Sequence, residues 1–390
     1  MVAVKSANIY PRGITLRVGI FCPTLNVYGG GEFVATVIAN TLAEKGYDVM
    51  FFTNKKINQQ EISEFFGESL NPSVKIIVKP SKFQPKGLMD FYQTIFCSYI
   101  FKSKCDIWID AYSCRIFPWT NISYFHFPFL NRYNYEPKFP YIKNKRLLPI
   151  GGLPYVFFEK KLTDYSGKLI LANSNFTAKE IERFYGIEAK VLYPPIPSII
   201  FDSDPEKLTK DRRKNLVVTI SRFDPNKGLE KIPYIALLTD KKVEFAVIGR
   251  VHHKNTLLSL QSLTERLGLS ERVKFFVDVS KLEMKKILKK AKVYLHTKVD
   301  EHFGISIVEA MAMGCVPIVH GSGGAMEFVP EDFRYKNLHE AAQKITKEVY
   351  EWSPRKALEV IRIAEKFREE NFSKEFLKHF ELYERNMFYV

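Results

Sequence analysis

Asp300-Glu301-His302-Phe303-Gly304-Ile305-Ser306-Ile307-Val308-Glu309-Ala310-Met311-Ala312-Met313-Gly314-Cys315-Val316-Pro317-Ile318-Val319-His320-Gly321-Ser322-Gly323-Gly324 is the stretch that decides the fold. Gly304 permits a tight turn, Ile305 to Met313 are good helix formers, and Gly314 with Pro317 marks the exit into a short apolar strand, Val316 to His320. The helix N-terminus so formed offers unsatisfied N–H groups and the positive end of a dipole, which together bind phosphate without a metal. Glu301 stands just before this helix and Glu309 two turns inside it, each able to accept hydrogen bonds from hydroxyls on one side of that phosphate. A diphosphate flanked by two polyols is a nucleotide sugar. A helix that merely packs would show the apolar stripe Ile305, Val308, Met311 and Ala312 without the flanking carboxylates.

The pattern of two glutamates separated by seven residues, with Phe303-Gly304-Ile305 after the first and Glu309-Ala310-Met311-Ala312 at the second, resembles the signature of the family 4 retaining glycosyltransferases of the GT-B fold. The resemblance implies an α/β chain of two Rossmann-like domains whose parallel sheets face an interdomain cleft.

The rest of the chain agrees with that class. Its 390 residues suit two to three domains, and 46% apolar with 26% charged residues is a globular composition. No run of eighteen apolar residues exists, and Met1 to Arg17 lacks an apolar signal core, so the expected location is cytoplasmic. The five cysteines, Cys22, Cys97, Cys105, Cys114 and Cys315, contain no Cys-x-x-Cys pair, and Cys22 and Cys315 fall in predicted strands. Free thiols in a reducing compartment are expected. The eight histidines show no metal-ligand spacing, and the adjacent His252 and His253 read as a loop. A net charge of +15 asks for an anionic partner, either nucleic acid, for which no recognition module is visible, or anionic lipid headgroups.

Short apolar runs predict strands at Thr15 to Pro23, Asp48 to Thr53, Val74 to Val78, Asp106 to Ala111, Ile122 to Phe127 and Leu169 to Ser174, with helices such as Gly31 to Lys45 and Thr177 to Tyr185 between them. Tyr193-Pro194-Pro195-Ile196-Pro197 then breaks the pattern as a stiff linker does. Alternation resumes with Leu216 to Ser221, Phe245 to Gly249, Val273 to Phe276, Val293 to Thr297 and Val316 to His320. Continuous apolar strands separated by helices predict parallel sheets covered on both faces, and two such domains in series enclose a cleft. The expected division is 1–195 and 196–371. The aromatic-rich helix Lys374 to Tyr389, within residues 372–390, is placed on the first domain by the resemblance.

Three further segments carry candidate chemistry. Tyr28-Gly29-Gly30-Gly31-Glu32 follows the first strand and opens a helix, so Gly30 and Gly31 allow backbone to approach a donor closely; the same run also suits a plain tight turn. Ser221-Arg222-Phe223-Asp224-Pro225-Asn226-Lys227-Gly228 sets two cations five residues apart on a turn, spaced to reach one diphosphate. The resemblance implies that Arg222 and Lys227 stabilise the leaving group. It also implies that His126, in Tyr124-Phe125-His126-Phe127-Pro128, faces the transferred sugar, although a lone histidine among aromatics is commonly structural. Ser174 and Thr177 read as helix N-caps. Asp202-Ser203-Asp204 follows a proline linker rather than a strand end, so it is read as accidental, and no metal is expected.

Glu301 to Ile305, Ser322-Gly323-Gly324, Gly29 to Glu32, Tyr124 to Pro128 and Leu192 to Pro195 together are similar to the cytosolic α-1,2-mannosyltransferases that extend lipid-linked oligosaccharide. That resemblance implies catalytic roles for Glu301, His126, Arg222 and Lys227. It implies donor contacts from Gly30, Gly31, Arg222, Lys227, Phe303, Gly304, Ile305 and Glu309, with a nucleotide sugar as substrate and no further cofactor. GDP-mannose is the expected donor and a lipid-linked glycan the expected acceptor. A UDP-glucose or UDP-N-acetylglucosamine donor, an epimerase or phosphorylase on the same fold, and a non-enzymatic glycan or nucleic-acid binder are the alternatives. Residues 127–161 interleave Arg132, Lys138, Lys143, Lys145 and Arg146 with Tyr133, Tyr135, Phe139 and Tyr141, a composition suited either to an insertion over its own core or to a peripheral contact with an anionic membrane.

Overall fold

In the computed structural model, residues 15–25, 29–54, 56–78, 96–112, 114–128, 164–201 and 213–388 are described. Tyr28, Asp202 to Asp204 and nearly all of the 127–161 segment lie outside them.

Two parallel sheets organise the chain. The first comprises β1 (Arg17–Phe21), β2 (Asp48–Thr53), β3 (Lys75–Val78), β4 (Ile107–Asp110), β5 (Ile122–Phe125), β6 (Leu169–Ala172) and β7 (Lys190–Val191), in the order β3-β2-β1-β4-β5-β6-β7. The second comprises β8 (Leu216–Ile220), β9 (Glu244–Gly249), β10 (Val273–Val277), β11 (Val293–His296), β12 (Val316–His320) and β13 (Arg334–Tyr335), in the order β10-β9-β8-β11-β12-β13. Each ladder is parallel, as in Val18 opposite Val49 and Val293 opposite Val316. The inner strands are buried on both faces, which explains why they read as unbroken Val, Ile and Phe runs rather than as alternating patterns.

The helices in chain order are α1 (Gly30–Glu44), α2 (Gln59–Phe66), α3 (Asn175–Tyr185), α4 (Lys231–Leu238), α5 (Lys254–Arg266), α6 (Lys281–Lys290), α7 (Ile305–Ala312), α8 (Leu338–Tyr350), α9 (Pro354–Ala364) and α10 (Glu369–Phe388). In both sheets the strand order reverses beside the first strand, between β1 and β4 and between β8 and β11. Ligands of doubly wound sheets bind outside the carboxyl ends of strands at such a reversal.

The chain crosses between the sheets twice, side by side, and Ile196 N–H donates to the Phe367 carbonyl at 2.9 Å. After the second crossing α10 returns to the first sheet. Phe372, Phe376 and Phe380, spaced four apart, join the core built on Val18, Ile20, Leu42 and Tyr124. Each fully buried aromatic of this kind contributes roughly 1.5–3 kcal/mol. Polar contacts fix the register: Tyr47 Oη donates to Glu384 at 2.9 Å, and the Thr41 and Ser373 hydroxyls meet at 2.7 Å.

Helix α10 starts at Glu369, ahead of the expected Lys374, because Glu370 supplies an acidic first-turn residue that suits a helix dipole although it breaks the aromatic stripe. Cys22 and Cys315 are buried, but they lie one residue outside β1 and β12. His252 and His253 lie in the loop expected of them, and His253 ends it as the N-cap residue of α5.

Candidate functional site

The loop after β8 and the entry to α7 meet at the carboxyl end of the second sheet. Glu301 Oε2 accepts from Lys227 Nζ at 3.1 Å and lies 3.0 Å from His296 Nε2, while Lys298 Nζ stands 3.6 Å from Oε1. His296 ends β11, so the strand aims it at the carboxylate; its Nδ1 is 3.4 Å from Tyr294 Oη, which donates to Ser306 Oγ at 2.8 Å. Glu301, His296, Lys298 and Tyr294 are buried, and Lys227 and Ser306 partly so.

One carboxylate is thus shared among several cations. Burial alone would raise Glu301, but Lys227, Lys298 and His296 outweigh it and hold the carboxyl well below the usual range. Burial lowers Lys227, and its neighbours Lys298 and Arg222 lower it further against the pull of Glu301. Burial also lowers His296, against the pull of Glu301. Two lysines, Lys227 and Lys298, thus face one glutamate beside the N-terminus of α7.

That N-terminus is built to stay open. Gly304 takes the left-handed conformation, φ +98°, and neither a side-chain cap nor a first-turn acidic residue occupies the end of the helix. A Cβ at Gly304 would also meet Ile307 Cδ1 at 2.4 Å. The N-terminus of α1 is different: Gly29 N–H donates to Glu32 Oε2 at 3.0 Å, and Thr24 holds Oε1 at 2.7 Å. Helix α1 supplies its own carboxylate, and α7 leaves room for a foreign anion.

The expected residues converge across the two sheets. A Cβ at Gly30 would meet Ile305 Cδ1 at 2.4 Å, and one at Gly31 would meet His126 Nε2 at 3.0 Å, so the glycine turn faces both α7 and His126. His126 Nε2 lies 3.2 Å from the Ala111 carbonyl, which orients the ring. Phe303 packs into the second core against Phe328 and Phe367, so only its backbone remains available to a ligand. Arg222 is exposed at the start of its loop and does not join the buried network. Glu309 is already paired, with Lys281 Nζ at 2.5 Å from Oε1, both side chains nearly buried.

Ser174 caps α3, as read from the sequence, through Thr177 N–H at 3.0 Å, and it also donates to the His302 carbonyl of the other half at 2.6 Å. Glu327 accepts from the Asn175 and Phe176 N–H groups, each at 2.9 Å, and from Tyr193 Oη at 2.9 Å. The His302 ring lies flat on Phe127, centroids 3.8 Å apart. These contacts latch the two halves together around the cleft.

Sequence reasoning missed His296, Lys298, Lys281 and Glu327. Lys298 carried a faint signal, three residues before Glu301; His296 and Lys281 looked like a strand end and a helix start. Spacing along the chain also missed a cluster of Asp224, His252 and His253, whose ligating atoms lie within 4.8 Å of one another.

Residues 200–354 match the family model described as glycosyl transferases group 1. Solved structures superpose over nearly the whole chain: HepE from Anabaena in complex with UDP and glucose at a TM-score of 0.70 and 17% identity, covering 94% of this chain and 99% of that one, and WaaG, a glycosyltransferase involved in lipopolysaccharide biosynthesis, at 0.68 and 13%, covering 92% and 98%. The fold is GT-B, and its second half carries a glycosyl transferases group 1 domain. Proteins named GDP-Man:Man(3)GlcNAc(2)-PP-Dol alpha-1,2-mannosyltransferase are similar in sequence. The mouse protein is 31% identical over 52% of this chain and 46% of its own length, and the human protein 24% identical over 79% and 73%. The chain thus spans about half the length of the mouse relative and 52% of that from Dictyostelium discoideum. No helix among the described residues is long and apolar enough to cross a membrane.

Proposed function

We propose that this chain is a retaining glycosyltransferase that moves a hexose, mannose from GDP-mannose, to a lipid-linked glycan acceptor. The observation that carries the reading is that Lys227 and Lys298 both face Glu301 against the uncapped N-terminus of α7. Charge withdrawn from water is costly, so two lysines lining a cleft favour an ionic ligand of the opposite sign. A diphosphate seated there receives N–H groups from Ile305 and Ser306, a point charge from Lys227 and the exposed guanidinium of Arg222, and protein cations meet the charge of the leaving group without a divalent ion on it.

The acceptor hydroxyl attacks from the leaving-group face and passes its proton to a phosphate oxygen as the glycosidic bond to the diphosphate breaks. Glu301 and the backbone at Phe303 and Gly304 orient the sugar, His126 with Gly31 borders it from the first sheet, and Glu309 holds the ribose once Lys281 yields part of its hold. The names of the similar proteins support mannose and a dolichol-linked acceptor. The net charge of +15 supports contact with an anionic membrane that carries such an acceptor. Thermal unfolding titrated with GDP and with UDP tests the donor: GDP is expected to stabilise at lower concentration, and equal or absent stabilisation by both would reject the GDP reading.

A further inference from the structure

Apart from the groups around Glu301, a carboxylate and two imidazoles meet where the loop after β8 touches the exit of β9. Asp224 Oδ2 lies 3.0 Å from His252 Nδ1 and 3.8 Å from His253 Nε2. In a tetrahedral site with ligand bonds of about 2.0–2.1 Å, donor atoms stand about 3.4 Å apart, and these separations straddle that value. The two rings are nearly perpendicular, 86°, and the three ligating atoms lie within 4.8 Å of one another.

The second observation concerns His253. Its Nε2 is buried, 3.8 Å from the carboxylate, beyond hydrogen-bond reach, and has no other hydrogen-bond partner among the described residues. A buried polar atom left in this state calls for an explanation, and an ion is one. The carboxylate is also prepared: Oδ1 accepts from Asn226 N–H at 2.9 Å and from Asn226 Nδ2 at 3.1 Å, which leaves Oδ2 directed at the histidines. The frame is rigid, since Phe223 N–H donates to the Arg250 carbonyl and His253 N–H to the Phe223 carbonyl, each at 2.9 Å.

We propose that Asp224, His252 and His253 bind one zinc-like divalent ion that staples the loop carrying Arg222 and Lys227 to the exit of β9. Two imidazoles with one carboxylate suit zinc, cobalt or nickel and disfavour magnesium or calcium, which prefer all-oxygen sites. Both histidines are partly exposed, so a water completes the coordination. The ion would act by positioning the loop, separately from the proposed transfer chemistry, and the inference stands whether or not that transfer is observed.

The test uses the full chain without a polyhistidine tag, stripped with chelator and titrated with Co2+ while visible absorption is followed, with zinc content measured by atomic emission after dialysis. One ion per chain is expected, with His252→Ala and His253→Ala each weakening binding by at least about tenfold and the exposed His339→Ala leaving it unchanged. Because His253 Nε2 makes no hydrogen bond, loss of metal from a His253→Ala variant that keeps its circular dichroism reports a lost ligand rather than a lost fold. Failure to take up one ion, or uptake equal in both histidine variants and the parent, would overturn the proposal.

Discussion

Glu301→Gln keeps the size and most hydrogen-bond geometry of the side chain and removes only its charge. It leaves Lys227 and Lys298 in a buried site without their counter-ion. Breaking a buried ion pair from one side costs about 3–5 kcal/mol. Lys227 has one escape, which bounds the loss: from an ordinary value near 10.4 it can shed its proton at pH 7 for about 5 kcal/mol and at pH 9 for about 2 kcal/mol, at about 1.4 kcal/mol per pH unit. A lysine already lowered by its surroundings escapes more cheaply still. The sign follows from linkage: a lysine lowered on folding destabilises the protonated fold at neutral pH, and stability returns as pH rises toward the unfolded value. The variant is therefore expected to lose about 3 kcal/mol at pH 7, roughly 6–12 °C in Tm for a domain of this size, and clearly less at pH 9. GDP, which supplies the missing negative charge, should raise the Tm of the variant more than that of the parent. Differential scanning fluorimetry at the two pH values, with and without GDP, reads all of this. An equal loss at pH 7 and pH 9, or a smaller GDP response in the variant, would refute the electrostatic account of the cluster.

Glu309→Ala is expected to weaken nucleotide binding by calorimetry, whereas Glu301→Ala chiefly lowers turnover, because a ribose contact is equal in ground and transition states while contacts near the reacting carbon strengthen as charge develops; equal loss of donor affinity in both would reject this division. Diphosphate beside Lys227 should raise its lowered pKa, so GDP binding is expected to take up protons at alkaline pH, and calorimetric heats that do not vary with buffer ionisation enthalpy would contradict the contact. Glu327→Ala strips the start of α3 of its acceptor across the cleft, and a cost of about 1–3 kcal/mol with a larger radius of gyration by X-ray scattering is expected; an unchanged profile and Tm would show that Glu327 is no latch. Burial and the neighbouring Glu68 push Glu369 up to about 8, so this group favours the fold at acid pH and the benefit is lost as pH rises toward 8. Glu369→Gln should therefore raise Tm more at pH 8 than at pH 5, and the reverse would be contrary to the assignment.

What the sequence could disclose follows from how each feature is encoded. The inner strands were legible because burial on both faces leaves an unbroken apolar run, and Asp48 to Thr53 and Val316 to His320 were read to the residue. The two-residue strands β7 and β13 leave no such run. The approach of Lys227 to Glu301 was foreshadowed by motif and turn chemistry. Lys281 was not, because a lysine opening a lysine-rich helix looks like a solvated face, and only the packing of α6 beside α7 turns it onto Glu309. Asp224 stands 28 residues from His252, so their meeting depends on β8 and β9 being neighbours.

The chain is expected to consume a nucleotide sugar. Incubating the purified protein with GDP-mannose, UDP-glucose and UDP-N-acetylglucosamine, each with and without a lipid-linked glycan, and measuring nucleoside diphosphate release tests it most directly. Acceptor-dependent release of GDP from GDP-mannose is the expected result. Release of neither GDP nor UDP under any condition, together with no nucleotide binding, would contradict the account.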